Sequence, residues 1–189
     1  MHAQLVTVPP QVHRLRDLLL ARSVRRGEFV LASGRRSSYY IDARRTTMCG
    51  EGQRLIGELG LVRLTARGWR PVSVGGLTLG ADPVAYAIAG AAHRAGVALD
   101  AFTVRKQPKQ HGTIRRVEGC FDAGDAVVIV EDVVTTGQSA LQAIRALEAE
   151  GGRILGVFAV VDRQEGGRDS LERAGYAVEV LLSAADLGL

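Results

Sequence analysis

The sequence predicts a single α/β domain: a central, mostly parallel sheet flanked by helices, with a small N-terminal subdomain. Three observations predict it. From Glu51 onward, short apolar runs alternate with stretches of helical spacing, the pattern of βαβ crossovers. One of those runs, Val127-Val128-Ile129-Val130, is four β-branched residues in a row, which suits a strand buried on both faces. The 189 residues are 47% hydrophobic and their 23 glycines are dispersed between apolar runs, so the chain can bury one sizeable core and carries no linker that would divide it.

Taken in order, residues 12–26 place Val12, Leu15, Leu18, Leu19 and Val24 at helical spacing and end on basic residues and Gly27, as a helix C-terminus does. Extended segments over residues 29–31 and 39–41 flank a turn-like stretch at 33–38. Residues 1–45 thus read as a small N-terminal subdomain of the one domain spanning 1–189. A helix follows at 51–66, a strand at 71–75, a helix at 82–95 and a strand at 99–104. After an irregular stretch come a strand at 126–131, a helix at 139–150 and a strand at 154–161. In sheets of this kind ligands bind beyond the carboxyl ends of the strands.

The formal charge is +4, and of the 24 basic residues only Lys106 and Lys109 are lysines. A basic balance admits nucleic acid, anionic lipid or a phosphorylated small molecule as partner, without choosing among them. Cys49 and Cys120 have no CxxC or CxxH spacing, so neither a zinc site nor a disulfide is indicated, and both read as buried, inert thiols of a cytoplasmic protein. The first ten residues lack the charged and apolar regions of a secretory signal. Residues 71–92 are the most apolar long stretch, but Asp82, two prolines and four glycines disqualify them as a membrane span.

The chemistry concentrates after residue 126. The buried strand runs into Glu131 and Asp132, then into Val133-Val134-Thr135-Thr136-Gly137-Gln138-Ser139, and on into a helix with Leu141, Ile144 and Leu147 on one face. Backbone N–H groups from Thr135 to Ser139, at the positive end of that helix, form an anion cradle, and the Thr and Ser hydroxyls add donors. The turn has no GK[ST], so it is not a Walker A loop. Two carboxylates beside a phosphate cradle would repel the ligand unless they meet hydroxyls or a cation. A sugar phosphate offers the first, and Mg²⁺ between acidic oxygens and a pyrophosphate the second.

An apolar strand, an acid pair and a Thr/Gly loop in this order resemble the signature with which type I phosphoribosyltransferases bind phosphoribosyl pyrophosphate. The likeness extends over most of the chain. It is carried further by Phe29-Val30-Leu31-Ala32-Ser33-Gly34, Ser38-Tyr39-Tyr40-Ile41-Asp42, Arg105-Lys106-Gln107-Pro108-Lys109-Gln110-His111-Gly112 and Asp162-Arg163-Gln164-Glu165-Gly166-Gly167, which together point to the members that use orotate. The resemblance implies a small N-terminal hood over the sheet, Mg²⁺ held mainly by substrate with Asp132 as the candidate protein ligand, and a homodimer. It also implies that the segment beginning at Arg105 is a catalytic flap shared across subunits, whose Arg105, Lys106, Lys109 and His111 contact the pyrophosphate. Lys106, Lys109, His111 and Asp132 are then the catalytic candidates. Orotate is assigned to Thr135, Arg163, Tyr39 and Tyr40, with the planar guanidinium of Arg163 suited to its carboxylate. The phosphoribosyl pyrophosphate set is Arg105, Lys106, Lys109, His111 and residues Glu131 to Ser139.

Physically, cations clustered on a leaving diphosphate stabilise the charge that grows as the C1–O bond breaks. Some members carry lysines where this chain has Ala32 and Thr78 or Leu79, so catalysis falls to lysines of the flap. The glycine-rich turn at 74–82 can still offer backbone N–H groups to pyrophosphate. Two alternatives stand beside this reading: the same donor with uracil or a purine as acceptor, and a phosphoribosyl-pyrophosphate sensor that binds RNA or DNA through its arginines. Scattered arginines and 5% aromatic content speak against the second, so neither nucleic acid nor a membrane is expected as partner.

Overall fold

The structure is a computed structural model that describes residues 9–30, 36–107 and 116–189. Helix α1 (Pro10–Arg22) leads into a hairpin of β1 (Val24–Val30) and β2 (Arg36–Ile41), a single turn α2 (Arg44–Thr47) and helix α3 (Gly50–Ala66). Then come β3 (Ser73–Leu77), α4 (Ala81–Arg94), β4 (Asp100–Val104), β5 (Val117–Gly119), β6 (Ala126–Val134) and α5 (Gln138–Ala149). The chain closes with β7 (Arg153–Asp162), α6 (Gly167–Arg173), β8 (Val178–Ser183) and a 3₁₀ turn at Ala185–Leu187. Strands β3 to β8 form one sheet in the order β5-β4-β3-β6-β7-β8, parallel throughout except for the β4–β5 pair. The predicted fold class is therefore the observed one.

Side-chain alternation along the central strands sorts the core into two halves. Val128 and Val130 of β6, with Phe158 and Val160 of β7, pack against α1, α3 and α4. Val127 and Ile129, with Val157 and Ala159, pack against α5 and Leu171 of α6. Leu15, Leu18 and Leu19 of α1 belong to the first half, so the N-terminal segment is welded to the main core and not hung beside it. An Arg14–Glu51 pair, Nε to Oε1 at 2.6 Å, adds a surface tie between α1 and α3.

Several boundaries differ from those the sequence predicts. The first helix ends at Arg22, four residues short of its predicted end, because Ser23 closes the last turn on Leu19 O and buries its hydroxyl 2.7 Å from Thr46 Oγ1. From Val24 the backbone pairs antiparallel with β2, and the predicted helix-terminating Gly27 lies at the irregularity of that ladder. Strand β6 continues three residues past Glu131: Val133 and Val134 pair with Val161 and Asp162, and the Arg163 N–H bonds to Val134 O at 2.9 Å. The carboxyls of Glu131 and Asp132 therefore leave the ladder itself and not its frayed end. Elements α2, β5, α6 and β8 have no counterpart among the predicted ones. The thiols also differ from expectation, since Cys120 is exposed and the half-buried Cys49 accepts the Gly52 N–H as the N-cap of α3.

Helices α3 and α4 meet at Gly57, where a Cβ would fall on the Ala87 carbonyl. Replacing Gly57 with Ala forces the helices apart and should lower unfolding free energy by about 1–3 kcal/mol in urea titration. Gly90, on the same helix pair, is the control: its Cβ would meet only Arg94 Nη1 at 3.5 Å, and Gly90→Ala should stabilise by about 1 kcal/mol through helix propensity. Equal effects at both positions would contradict the packing described.

Candidate active site

The carboxyl ends of β3, β4, β6 and β7 converge on one edge of the sheet, and the polar groups collect there. The turn after β6 forms a hollow of about 70 Å³, lined by Glu131, Val133, Val134, Thr135, Thr136, Gly137, Gln138, Ser139 and Ala140. Its floor depends on Gly137, which has φ +80° and would, with a Cβ, press on Gly167 O at 2.9 Å and Leu171 Cγ at 3.2 Å. Only glycine serves both the left-handed backbone and the approach to α6. Gly137 is the N-cap of α5 and provides no side-chain cap, so the first-turn N–H groups of α5 face the hollow without an intrahelical partner. Thr135 and Thr136 are thus not capping residues, and their place beside these donors fits an anion site.

Glu131 borders the same hollow with its carboxyl 5% exposed and Oε1 without a hydrogen-bond partner. Burial, and secondarily the neighbouring Asp132, push its carboxyl up to about 8. Asp132 points elsewhere, its carboxylate within 2.6 Å of where a Gly80 Cβ would stand, over the turn that follows β3. Burial raises its pKa as well, opposed by the Val133 N–H at 2.8 Å and by Arg44, and reinforced by Asp42. The acid pair is therefore split between two neighbouring subsites. Glu131 faces the loop after β6, and Asp132 faces the Thr78-Leu79-Gly80 turn.

Arg163 is built into a rigid corner. Asp162 Oδ1 accepts the Gln164 N–H at 2.8 Å, Gln164 takes φ +56°, and its Oε1 accepts the Ala185 N–H at 2.9 Å. The guanidinium, on a residue 7% exposed, places Nη2 at 2.8 Å from Glu165 Oε1 and 3.5 Å from Ser37 Oγ, and its Cζ lies 4.8 Å over the Tyr39 ring. Its Nε is buried with no partner. The structure thus brings Arg163 and Tyr39 together at the edge of the hollow. Tyr40 alternates to the other face of β2, where its exposed ring lies 5.8 Å from Phe29. The expected aromatic pair is one aromatic wall.

Among the flap candidates, Lys109 and His111 lie outside the described residues, as does Ala32. Arg105 is engaged by Glu118, Nη1 to Oε1 at 3.1 Å, and the Lys106 side chain is exposed; neither lines the hollow. The stems of that segment are tied to each other, since the Arg116 guanidinium donates to the carbonyls of Arg105 and Lys106 while Glu150 Oε1 accepts the Arg116 N–H at 3.0 Å.

Two groups were not anticipated. Arg44, on α2, pairs with Asp42 at 3.0 Å and stands close enough to Asp132 to favour its charged form. Asp82, at the start of α4, accepts hydroxyl bonds from Thr78 and Thr103. The Asp42-Ala43-Arg44-Arg45 run between strand and helix is the signal that could have pointed to Arg44. As for metal, no three His, Cys, Asp or Glu side chains converge among the described residues. The hard oxygens of Asp132, over the Gly80 turn, suit a cation whose remaining ligands are substrate and water.

A family model described as the phosphoribosyl transferase domain matches residues 71–179. The chain is 46% identical over 180 residues to the orotate phosphoribosyltransferase of Mycobacterium avium (strain 104), covering 95% of this chain and 98% of that one. It is 43% identical over 177 residues to the orotate phosphoribosyltransferase of Aquifex aeolicus (strain VF5), covering 92% and 96%. Among solved structures, the orotate phosphoribosyltransferase of Mycobacterium tuberculosis H37Rv in complex with 5-phospho-alpha-D-ribosyl 1-diphosphate superposes with a TM-score of 0.79 at 42% identity, covering 95% of this chain and all of that one.

The buried carboxyl has a measurable signature. Folded Glu131 keeps its proton up to about pH 8, whereas a glutamate of the unfolded chain loses it near 4.5, so the folded state binds more protons in between. The stability Glu131 contributes is complete below 4.5 and lost as pH rises through 8. Glu131→Gln keeps the shape without the titration. Its melting temperature relative to the parent chain should climb from about pH 5 to pH 8, and a flat difference would show that the carboxyl is not held neutral.

Proposed function

We propose, from the premise that the chain belongs to the phosphoribosyltransferase family and within it to the orotate phosphoribosyltransferases, that the hollow after β6 and the arginine beside it hold the two ends of one reaction. The protein transfers the 5-phosphoribosyl group from phosphoribosyl pyrophosphate to orotate, giving orotidine 5′-monophosphate and pyrophosphate, a step in making pyrimidine nucleotides. The observation that carries the assignment of sites is the buried Arg163 guanidinium, with an unpartnered Nε above an aromatic ring, at the edge of a hollow lined by free helix N–H groups.

The first turn of α5, with Thr135, Thr136 and Ser139, holds the 5′-phosphate, whose charge the helix N-terminus favours. Glu131 and Asp132 receive the ribose hydroxyls. The orphaned Glu131 Oε1 gains there the partner it lacks, and the carboxyl oxygens of the pair, accepting from those hydroxyls, stabilise the positive charge that builds on the sugar in the oxocarbenium-like transition state. The orotate ring lies on Tyr39 with its carboxylate on Arg163, displacing or sharing the contact to Glu165. The ring nitrogen attacks ribose C1 as the C1–O bond breaks; the electron pair of that bond leaves with pyrophosphate, which also takes up the ring N–H proton. The N–H groups of Leu79 and Gly80 in the turn after β3, together with Arg105, Lys106, Lys109 and His111, receive the diphosphate. Orotate is already acidic at its ring, so no strong protein base is required.

Mg²⁺ on the diphosphate would neutralise charge on the leaving group, and Asp132, over the Gly80 turn, is the residue placed to join its ligands. Strand β2, in the N-terminal hood that the resemblance implies, brings Ser37 and Tyr39 to the acceptor side. The flap segment is shared between the subunits of a homodimer, as the resemblance in the sequence implies. No helix among the described residues is long and apolar enough to cross a membrane, and with both cysteines free we place the enzyme in the cytoplasm.

Purified protein given orotate, phosphoribosyl pyrophosphate and Mg²⁺ should release pyrophosphate, with uracil, adenine and hypoxanthine inactive by comparison. Arg163→Ala should raise the KM for orotate by about tenfold or more, the loss of a charge-assisted bidentate contact, and leave the KM for the donor within about twofold. Preference for an uncarboxylated base would move the assignment to another acceptor. Full activity after Lys109→Ala combined with Asp132→Asn would overturn the mechanism.

A further inference from the structure

The turn proposed to receive the diphosphate is held by a carboxylate that has no part in the chemistry above. Asp82, the second residue of α4, uses both oxygens: Thr78 Oγ1 donates to Oδ2 at 2.6 Å, and Thr103 Oγ1 donates to Oδ1 at 2.8 Å. The Tyr86 hydroxyl lies 3.3 Å from Thr103 Oγ1, and since the Thr103 proton is committed to Asp82, Tyr86 is the donor. The Thr78 N–H bonds in turn to Val104 O at 2.9 Å, continuing the β3–β4 ladder by one residue. Thr78 is thereby fixed by both its backbone and its side chain. Leu79 and Gly80 remain the free part of the turn, and Gly80 packs directly beneath Asp132.

Charge explains why an acid can do this. Asp82 sits in the first turn of α4, where the helix end offsets a negative charge, and a carboxylate accepts two hydroxyl donors at once, which no neutral side chain of that length does as well. With both oxygens saturated by hydroxyls, its acceptor lone pairs are directed at Thr78 and Thr103. Three segments are joined by this one group: the turn after β3, the start of α4 and the end of β4, two residues before Arg105.

We propose that Asp82 is a positioning residue for the phosphoribosyl pyrophosphate site, acting through Thr78 and Thr103 to hold the Thr78-Leu79-Gly80 turn against the diphosphate. The inference rests on the reading of that turn as the diphosphate subsite. Asp82 does not touch substrate; it sets where the turn's N–H groups stand relative to Asp132 and to the stem of the segment that bears Lys106.

The test separates geometry from charge. Asp82→Ala removes both hydroxyl contacts and should raise the KM for phosphoribosyl pyrophosphate by about tenfold, in line with the cost of misplacing a binding group by a fraction of an ångström, with the KM for orotate within about twofold. In the reverse direction the KM for pyrophosphate should rise in parallel while that for orotidine 5′-monophosphate does not. Asp82→Asn can still accept from Thr78 and donate to Thr103, so it should restore the donor KM to within about threefold of the parent. Thr103→Val, which keeps the β-strand shape and removes one arm, should fall between them, and serves if Asp82→Ala does not fold. Equal rises in both KM values, an unchanged donor KM in Asp82→Ala and Thr103→Val, or an Asp82→Asn as impaired as Asp82→Ala would each overturn the proposal. Failure of the parent protein to convert orotate at all would instead strike the reading of the site beneath it.

Discussion

Everything functional in this chain hangs on the central strand β6 being buried on both faces while ending among polar groups. Its residues from Val127 to Val130 are fully buried, sealed by α3 and α4 on one side and α5 on the other, so the strand has no freedom to shift register. Glu131 and Asp132 inherit that rigidity. Because alternation sends adjacent side chains to opposite faces, the same two residues serve two subsites: one carboxyl at the loop that starts α5, the other over the turn that starts α4. A parallel sheet then brings β3, β4 and β7 to the same edge, so that the anion hollow, the Gly80 turn and Arg163 are neighbours without any long loop having to place them.

The electrostatics follow from that burial. Glu131 sits in a place too dry to keep its charge unaided, and the fold leaves one of its oxygens without a partner. As pH rises toward 8 the folded state loses the stability such a group contributes at low pH. In the proposed mechanism a ribose hydroxyl is the missing partner, so the unfavourable unliganded state becomes preference for the bound sugar and its transition state. Arg163 is a second case of the same kind. Its guanidinium is buried on Tyr39, half satisfied by Glu165 and left with an unpartnered Nε, the group that the proposed function gives to the orotate carboxylate.

How far the sequence could be read depended on the range of the interactions that decide each element. The helices at α3, α4 and α5 and the strands β3, β4, β6 and β7 were legible within a few residues because their apolar periodicity is local and strong. The helical spacing overruns the true end of the first helix, since nothing near residue 23 announces that Val24 pairs with Ile41 across a hairpin. Strand β5 is three residues long and β8 alternates weakly, so each is specified by the neighbour it pairs with and not by its own pattern. The anion loop was legible almost residue by residue, because strand, loop and helix N-terminus are contiguous in the chain. The resemblance implies both Tyr39 and Tyr40 for orotate, and β alternation turns their rings to opposite faces of β2.

What the sequence determined by itself was the α/β class, the position of the loop proposed to hold phosphate and the identity of the groups gathered there, because each rests on contiguous residues and a fixed period. What only the tertiary structure decided was which of those groups share a subsite. Asp132 joins Gly80 across some fifty positions of chain, Arg163 meets Tyr39 across more than a hundred, and Asp82 ties Thr78 to Thr103. Such contacts arise from strand order and side-chain direction, which depend on how the whole sheet packs and leave no mark in local spacing.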